Sequence, residues 1–125
     1  MQLDPAGGIP LYLQIVDQFR AARLSGRYRP GDRIPPVREL ALALRINPNT
    51  VAKAYRQLQA EGVLESRPGG GNFIASTPET ALAAERQQRL HELLVSLLAE
   101  TDSLHIPREQ VLNTLQYEIK QGEQQ

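Results

Sequence analysis

Apolar residues spaced three and four positions apart predict two helices near the start of the chain. Pro10 suits the first position of the earlier helix, and Gly26 marks its end. Its apolar face comprises Leu11, Ile15, Val16, Phe19 and Ala22. A turn at Pro30-Gly31 follows, and Pro35-Pro36 forms a rigid entry to a second helix over 36–44. The apolar face of this second helix comprises Val37, Leu40, Ala41 and Leu44.

The start of a third helix is defined by the sequence Asn47-Pro48-Asn49-Thr50. Asn47 is a strong N-cap residue, because its side chain accepts a hydrogen bond from a backbone N–H of the first turn. Pro48 fits the first helical position, where its missing N–H costs nothing. Gly62 ends the helix, and its predicted buried stripe is Val51, Tyr55 and Leu58. The other face offers Asn49, Thr50, Lys53, Arg56 and Gln57.

The residues after Gly62 predict a β-hairpin with a glycine-rich tip. The segments VLESR and NFIA favour strands, and PGGG between them favours a loop. Two helices, a tight turn, a third helix and a hairpin are the layout of a winged helix-turn-helix. The predicted fold class is therefore mainly α with a small β-hairpin wing (α+β).

The last part of the chain predicts a two-helix tail. One helix runs from Glu79 to about Leu98, the segment ETDSLHIP interrupts it, and a second runs from about Pro107 to Lys120. So broad an apolar face is normally an interface, although it could also pack on the winged domain or line an effector pocket. We favour a homodimer interface formed by Leu90, Leu93, Leu94, Leu97, Leu98, Val111, Leu112, Leu115 and Ile119. The predicted domains are the winged helix-turn-helix over residues 9–77 and a dimerisation or regulatory tail over residues 78–125.

Charge separates the same two segments. The chain is neutral overall, but residues 1–76 hold ten Lys/Arg and six Asp/Glu, whereas residues 77–125 hold four and eight. Twelve of the fourteen basic residues are arginine, which suits phosphate and guanine recognition as well as ordinary solvated surfaces. The pattern predicts a cationic working module joined to an acidic partner segment.

Other classes of function find little support in the residues. The chain has no cysteine, and its two histidines, His91 and His105, would need nearby carboxylates to bind a metal, so we expect no metal and no cofactor. No nucleophile–base pair or phosphate-binding GxxxxGK occurs, which argues against an enzyme. The N-terminus lacks the pattern of a signal peptide, and the apolar run Leu93–Ala99 is too short to span a bilayer. We expect a soluble, cytoplasmic protein with no membrane partner, and the polar end KQGEQQ is typical of a natural terminus.

The order of these segments resembles the GntR family of bacterial transcription regulators. The matching stretches are PLYLQI, RPGDRIPPVRELA, NPNTVAKAY, LQAEGVLESR and GGGNFI, which together cover about residues 9–76. The short two-helix tail and INPNTV resemble the YtrA subfamily, whose members lack a large effector-binding domain. The resemblance implies a dimer whose third helix enters the major groove while the wing lies along or in the minor groove. It also suggests control of a nearby operon, often one encoding a transporter.

Family DNA contacts carry over onto Arg38, Asn49, Thr50 and Gly69. Several positions depart from the family pattern, because the turn glycine is Arg45, a serine is Pro36, and the wing arginine is Gly70. Pro48 and Ala52 also stand where the third helix of the family often has arginine, so three cationic contacts are absent, counting the one at Gly70. We therefore expect Lys53, Arg56 and Arg67 to bear more of the binding. The full set of expected DNA-binding residues is Arg38, Asn47, Asn49, Thr50, Lys53, Arg56, Arg67, Gly69 and Gly70.

The predicted function is sequence-specific binding of double-stranded operator DNA by a dimeric repressor. Asn suits adenine, and Thr suits phosphate or a thymine methyl. Arg38 could instead be a surface arginine paired with a carboxylate, and the GGG tip could be only a permissive turn. Arg33 could contact the DNA backbone or solvate a loop, and we expect the latter. The alternative function is a winged-helix architectural or protein-interaction module without sequence preference. An unidentified small-molecule effector, the operator and the target genes stay open.

Overall fold

The computed structural model describes residues 1–124, and that part of the chain forms five helices and three short strands. In chain order these are α1 (Leu11–Leu24), β1 (Arg33–Ile34), α2 (Val37–Leu44), α3 (Pro48–Ala60), β2 (Leu64–Ser66), β3 (Asn72–Ile74), α4 (Glu79–Ser103) and α5 (Arg108–Glu123). The predicted helices and the predicted hairpin are confirmed. Pro10 and Pro36 were both predicted as first helical residues, but each precedes its helix as the N-cap residue.

The wing contains one strand more than the sequence predicted. Strand β3 lies between β1 and β2 and is antiparallel to both, with Arg33 opposite Phe73 and Leu64 opposite Ile74. Strand β1 has only two residues, which is too few to produce a visible alternation of apolar and polar positions. The segment expected to be a loop therefore extends the hairpin into a three-stranded sheet.

The buried core joins one face of each of the first three helices to the inner face of this sheet. Helix α3 is its centre, because it packs against α1, α2 and β2. Its buried residues are Val51, Ala54, Tyr55 and Leu58, which include the whole predicted stripe. The other members of the core are Ile15, Val16, Phe19, Ile34, Leu40, Ala41, Val63, Leu64 and Ile74.

Tyr55 attaches α3 to the segment that precedes α2. Its hydroxyl donates a hydrogen bond to the carbonyl of Pro35 at 2.6 Å, and its ring packs edge-on against Phe19. Burial raises the pKa of the Tyr55 hydroxyl well above its usual value, because the phenolate would lose its hydration. The group therefore stays a hydrogen-bond donor throughout the neutral pH range.

A charged contact connects α1 to the end of α3. The guanidinium of Arg20 forms a two-point contact with the carboxylate of Glu61, and its Nε lies 2.7 Å from Oε1. The hydrogen bond from Arg20 lowers the pKa of Glu61, with a smaller effect from Gln57. Both partners are partly exposed, so the pair contributes modestly to stability.

The tight connection between α2 and α3 requires a left-handed residue that is not glycine. Arg45 has φ 57° and ψ 47°. The N–H of Ile46 donates to the carbonyl of Ala41 and the N–H of Arg45 to that of Leu42, which together satisfy the last turn of α2 in a Schellman motif. The conformation is costly for a residue with a Cβ, and here it is imposed by these two bonds.

Helix α4 extends further than the sequence predicted. We expected it to end at about Leu98, but it continues to Ser103. The first polar residues of ETDSLHIP continue the helix. It ends where His105 adopts φ 57° and the N–H of Ile106 donates a hydrogen bond to the carbonyl of Thr101. Sequence patterns seldom reveal such an end when no glycine marks it.

The chain divides into two compact units, residues 1–82 and residues 83–125. The first unit contains the core described above together with the first turn of α4, where Leu82 is buried. The second contains the rest of α4, the turn at His105 and α5. In its described part, most apolar side chains of these two helices are exposed.

Replacing Arg45 with glycine should stabilise the fold. Glycine adopts the left-handed conformation without a Cβ clash, so Arg45→Gly should raise the free energy of unfolding by about 0.5–1 kcal/mol. Urea denaturation would measure it. The matched control is Ala43→Gly, an exposed position inside α2, which should lower the same quantity by about 1 kcal/mol. A loss of stability in Arg45→Gly would show that the arginine side chain contributes more than the strain.

Removing the cap of α3 should have the opposite effect. Asn47→Ala deletes the side-chain acceptor for the N–H of Asn49 and should lower the free energy of unfolding by about 1 kcal/mol, whereas Asn47→Ser should retain most of it. The same denaturation experiment compares the two variants. Equal stability of Asn47→Ala and the original chain would contradict a structural role for this cap.

Candidate nucleic-acid interface

The first turn of α3 carries two polar side chains, and a helix cap fixes the residue at which this turn begins. The Oδ1 of Asn47 accepts a hydrogen bond from the backbone N–H of Asn49 at 2.8 Å, and Pro48 occupies the first helical position. Asn47 and Asn49 are exposed and Thr50 is partly exposed. The N–H of Thr50 donates to the carbonyl of Asn47 at 3.0 Å, so the N–H groups of this turn are already satisfied, and the helix dipole favours a negative charge in front of it.

An open groove between α2 and α3 adds positive charge beside this turn. It is lined by Arg38, Ala41, Leu42, Arg45, Ile46 and Pro48. Arg38 and Arg45 are exposed, and neither forms an ion pair within residues 1–124. The surface-pair interpretation of Arg38 therefore finds no carboxylate partner in this part of the chain. Arg45 was treated in the sequence only as a missing glycine, and its place beside the predicted reading helix was not foreseen.

The two cations further along α3 differ in their surroundings. Lys53 lies with its Nζ 4.0 Å from the centre of the Tyr12 ring on α1, a cation–π contact that orients the ammonium group. Arg56 is exposed and makes no ion pair among the described residues. Both lie on the polar side of α3, opposite the buried stripe, as predicted.

The wing tip carries no side chain. Gly69, Gly70 and Gly71 have φ of 92°, 100° and 97°, a conformation that other residues avoid. Arg67 lies just before this tip, and its Nη2 is 3.1 Å from Oε1 of Glu65 while its guanidinium carbon lies 4.0 Å from the centre of the Phe73 ring. Arg67 thus lies beside the glycine tip, and a carboxylate partly neutralises it.

Arg33 occupies a position that the sequence did not reveal. We expected it to solvate a loop, but it lies in β1, and its guanidinium carbon is 6.0 Å from the centre of the Phe73 ring. The signal available in the sequence was a basic residue two positions after Pro30-Gly31, which by itself does not distinguish a strand from a loop.

Most of the residues predicted as a dimer interface are exposed to solvent in the single chain. Leu93 is 51% exposed, Leu112 53% and Ile119 52%, values unusual for large apolar side chains. Leu90, Leu94, Leu97 and Leu115 are also exposed, and Leu98 and Val111 are half-buried. On α4 these residues form one stripe, with Val95 as an exposed neighbour outside it.

Two further features concern other kinds of site. Within residues 1–124, no three His, Asp or Glu side chains approach closely enough to hold a metal ion. None of the described helices combines the length and apolarity needed to cross a membrane.

Comparison with known proteins supports a single family. Residues 11–74 match the family model described as bacterial regulatory proteins, gntR family. The chain is 39% identical over 100 residues to the HTH-type transcriptional repressor YtrA of Bacillus subtilis (strain 168), which covers 80% of this chain and 77% of that protein. The resemblance to the YtrA subfamily is thereby confirmed, and such relatives are named transcriptional regulators rather than enzymes.

Solved structures agree with this assignment. A transcriptional regulator from Oenococcus oeni superposes with a TM-score of 0.75 at 32% identity, over 94% of this chain and 97% of that one. The DNA-binding domain of AraR in complex with operator ORX1 matches with a TM-score of 0.52 at 28% identity, over 60% of this chain and 99% of that one. The winged-helix fold class is confirmed, and the chain belongs to the GntR family of bacterial transcriptional regulators.

Proposed function

We propose that the protein is a dimeric repressor that binds a near-palindromic operator in double-stranded DNA. The observation that carries this proposal is the capped start of α3, which holds Asn49 and Thr50 at a fixed place beside the exposed Arg38. Supporting it, the AraR domain that this chain resembles was solved on operator DNA, and the relative YtrA is named a repressor. Such a regulator works on the chromosome, so we place it in the cytoplasm.

In this proposal, the first turn of α3 reads bases in the major groove. The side-chain amide of Asn49 can form two hydrogen bonds with adenine, and Thr50 can contact a phosphate or a thymine methyl. Reading helices of this class use their N-terminal residues for such contacts. The cap by Asn47 fixes where these side chains start, so it affects recognition without touching a base.

Phosphate contacts would set the register of the helix on the duplex. Arg38, Lys53 and Arg56 are exposed cations around the polar side of α3, and Arg45 joins them at the groove. The backbone N–H group of Gly69 can approach phosphate closely, because no side chain surrounds it, whereas the N–H of Gly70 donates to the carbonyl of Arg67 at 3.0 Å. Residues 9–77 would thus form the DNA-binding domain.

Residues 78–125 would form the dimerisation segment. The exposed stripe on α4 and the apolar residues of α5 need a partner surface, and a second copy offers an identical one. Two reading heads would then bind half-sites roughly one or two helical turns apart, which multiplies affinity. Resemblance to the YtrA subfamily favours a transporter operon as the target, and an effector that altered the angle between the heads would act through this segment.

Selection from random duplex DNA tests the reading helix. The purified protein should enrich a two-fold-symmetric motif, and Asn49→Ala/Thr50→Ala should lose it, with a fall in affinity of about tenfold or more. The matched control is Asn113→Ala/Thr114→Ala, which removes the same two exposed side chains from α5. This control should enrich the original motif.

Two outcomes would contradict the proposal. Enrichment of the same motif by the Asn49→Ala/Thr50→Ala variant would mean that other residues read the DNA. Absence of any motif for the original protein, with weak binding to all duplexes, would instead favour an architectural or protein-interaction module.

Sedimentation equilibrium tests the dimer. We expect the mass of two chains at low micromolar concentration, and we expect Leu97→Glu to shift it towards one chain while lowering operator affinity by about tenfold or more. Ser96→Glu adds the same charge to α4 outside the apolar stripe and should stay dimeric. A monomeric original protein that still binds its motif tightly would contradict this role for the tail.

A further inference from the structure

The outer face of the wing sheet carries a row of three residues, one from each strand. Arg33 and Glu65 are the direct cross-strand partners of Phe73 on either side. Their chain neighbours Ile34, Leu64 and Ile74 are buried in the core. Because side chains alternate between the faces of a sheet, Arg33, Phe73 and Glu65 lie together on the face directed away from the core.

Two arginines lie against the Phe73 ring on this face. The guanidinium carbon of Arg33 is 6.0 Å from the ring centre and that of Arg67 is 4.0 Å. Contact with an aromatic ring holds an arginine in place and leaves several of its N–H groups directed outwards. Phe73 therefore acts as a platform that gives two flexible cations a common position.

The bare tip of the wing lies directly beside these cations. A Cβ built on Gly71 would be 3.1 Å from Cε2 of Phe73 and 3.3 Å from Nε of Arg33. Any side chain at this position would displace the ring or the guanidinium. A Cβ at Gly69 or Gly70 would meet no atom within 4 Å, so the rest of the tip is open.

We propose that Arg33 and Arg67, held on Phe73, bind the phosphates that border the minor groove of the operator, and that Glu65 limits this binding by competing for Arg67. This inference rests on the proposed DNA-binding function. The proposal supplies the wing with two cations, Arg33 and Arg67, although the glycine tip itself carries none. It also identifies Arg33 as a DNA-binding residue. Arg67 then exchanges an exposed carboxylate partner, 3.1 Å away, for a phosphate when DNA binds.

The dependence of affinity on salt tests the proposal directly. Each phosphate contact contributes about 0.9 to the slope of log K against log salt, equivalent to roughly a fivefold loss of affinity at about 0.15 M salt when one contact is removed. Fluorescence anisotropy would measure binding to the selected operator and to a mixed-sequence duplex of equal length. Because the dimer carries two copies of Arg33, we expect Arg33→Gln to lower both affinities about 30-fold and to reduce both slopes by about 1.8.

Further variants separate DNA contact from a purely structural role. Arg33→Lys should restore most of the slope, because it keeps the charge. Phe73→Leu should weaken binding by a smaller factor while leaving both cations present, and Glu65→Gln should strengthen binding and steepen the slope, since Arg67 loses its competitor. Arg89→Gln removes one positive charge from α4 in the second compact unit and should change neither quantity.

The outcomes distinguish this inference from the proposed function. If Arg33→Gln binds with the original affinity and slope while Asn49→Ala/Thr50→Ala abolishes the motif, the wing inference is wrong and the reading helix stands. If Arg89→Gln is as weak as Arg33→Gln, the effect is one of net charge and the inference is also wrong. If no motif is found but Arg33→Gln still lowers the slope on mixed-sequence duplex, the wing binds phosphate and sequence-specific reading fails.

Discussion

Burial of one face of α3 is the constraint on which the rest of the winged domain depends. Val51, Ala54, Tyr55 and Leu58 are removed from water by α1, α2 and β2, so the rotation of the helix about its axis is determined by the core. Because this rotation is fixed, the polar residues of α3 face away from the core. The hydrogen bond from Tyr55 to Pro35 restrains the tilt of the same helix, and the Asn47 cap fixes the residue at which it begins.

A polar network extends this constraint from α3 to the wing. The side-chain amide of Gln59 donates to Ser66 at 3.0 Å and to Asn72 at 2.7 Å, so both strands of the hairpin are tied to the end of α3. The row on the outer face of the sheet is consequently held in a defined relation to the polar face of the helix. Although the whole chain is neutral, residues 1–76 carry a basic excess that includes Lys53 and Arg56 on α3 and Arg33 and Arg67 on the wing, while the acidic excess lies in the tail. A regulator with no net charge can thus still offer a cationic surface to phosphate.

The parts of the fold that rest on local rules were predictable from sequence. Asn47-Pro48 defines a helix start, and the spacing of Val51, Tyr55 and Leu58 defines a buried stripe, because cap chemistry and helical periodicity are properties of neighbouring residues. Strand β1 and the later end of α4 were missed, since they depend on pairing with β3 and on His105 in a left-handed conformation. For the same reason the contact of Arg33 with the Phe73 ring could not be predicted from sequence, because the two residues are far apart in the chain and meet only across the sheet.

The most direct test of the reading helix is base-by-base discrimination. Affinities of the original protein and of Asn49→Ala would be measured on operators that carry each single base-pair substitution in one half-site. We expect Asn49→Ala to lose about 1–3 kcal/mol of discrimination at one base pair and to retain it at the others, as a contact to one base edge requires. A uniform loss at every position, or unchanged discrimination at all of them, would contradict the assignment of α3 as the element that reads the DNA.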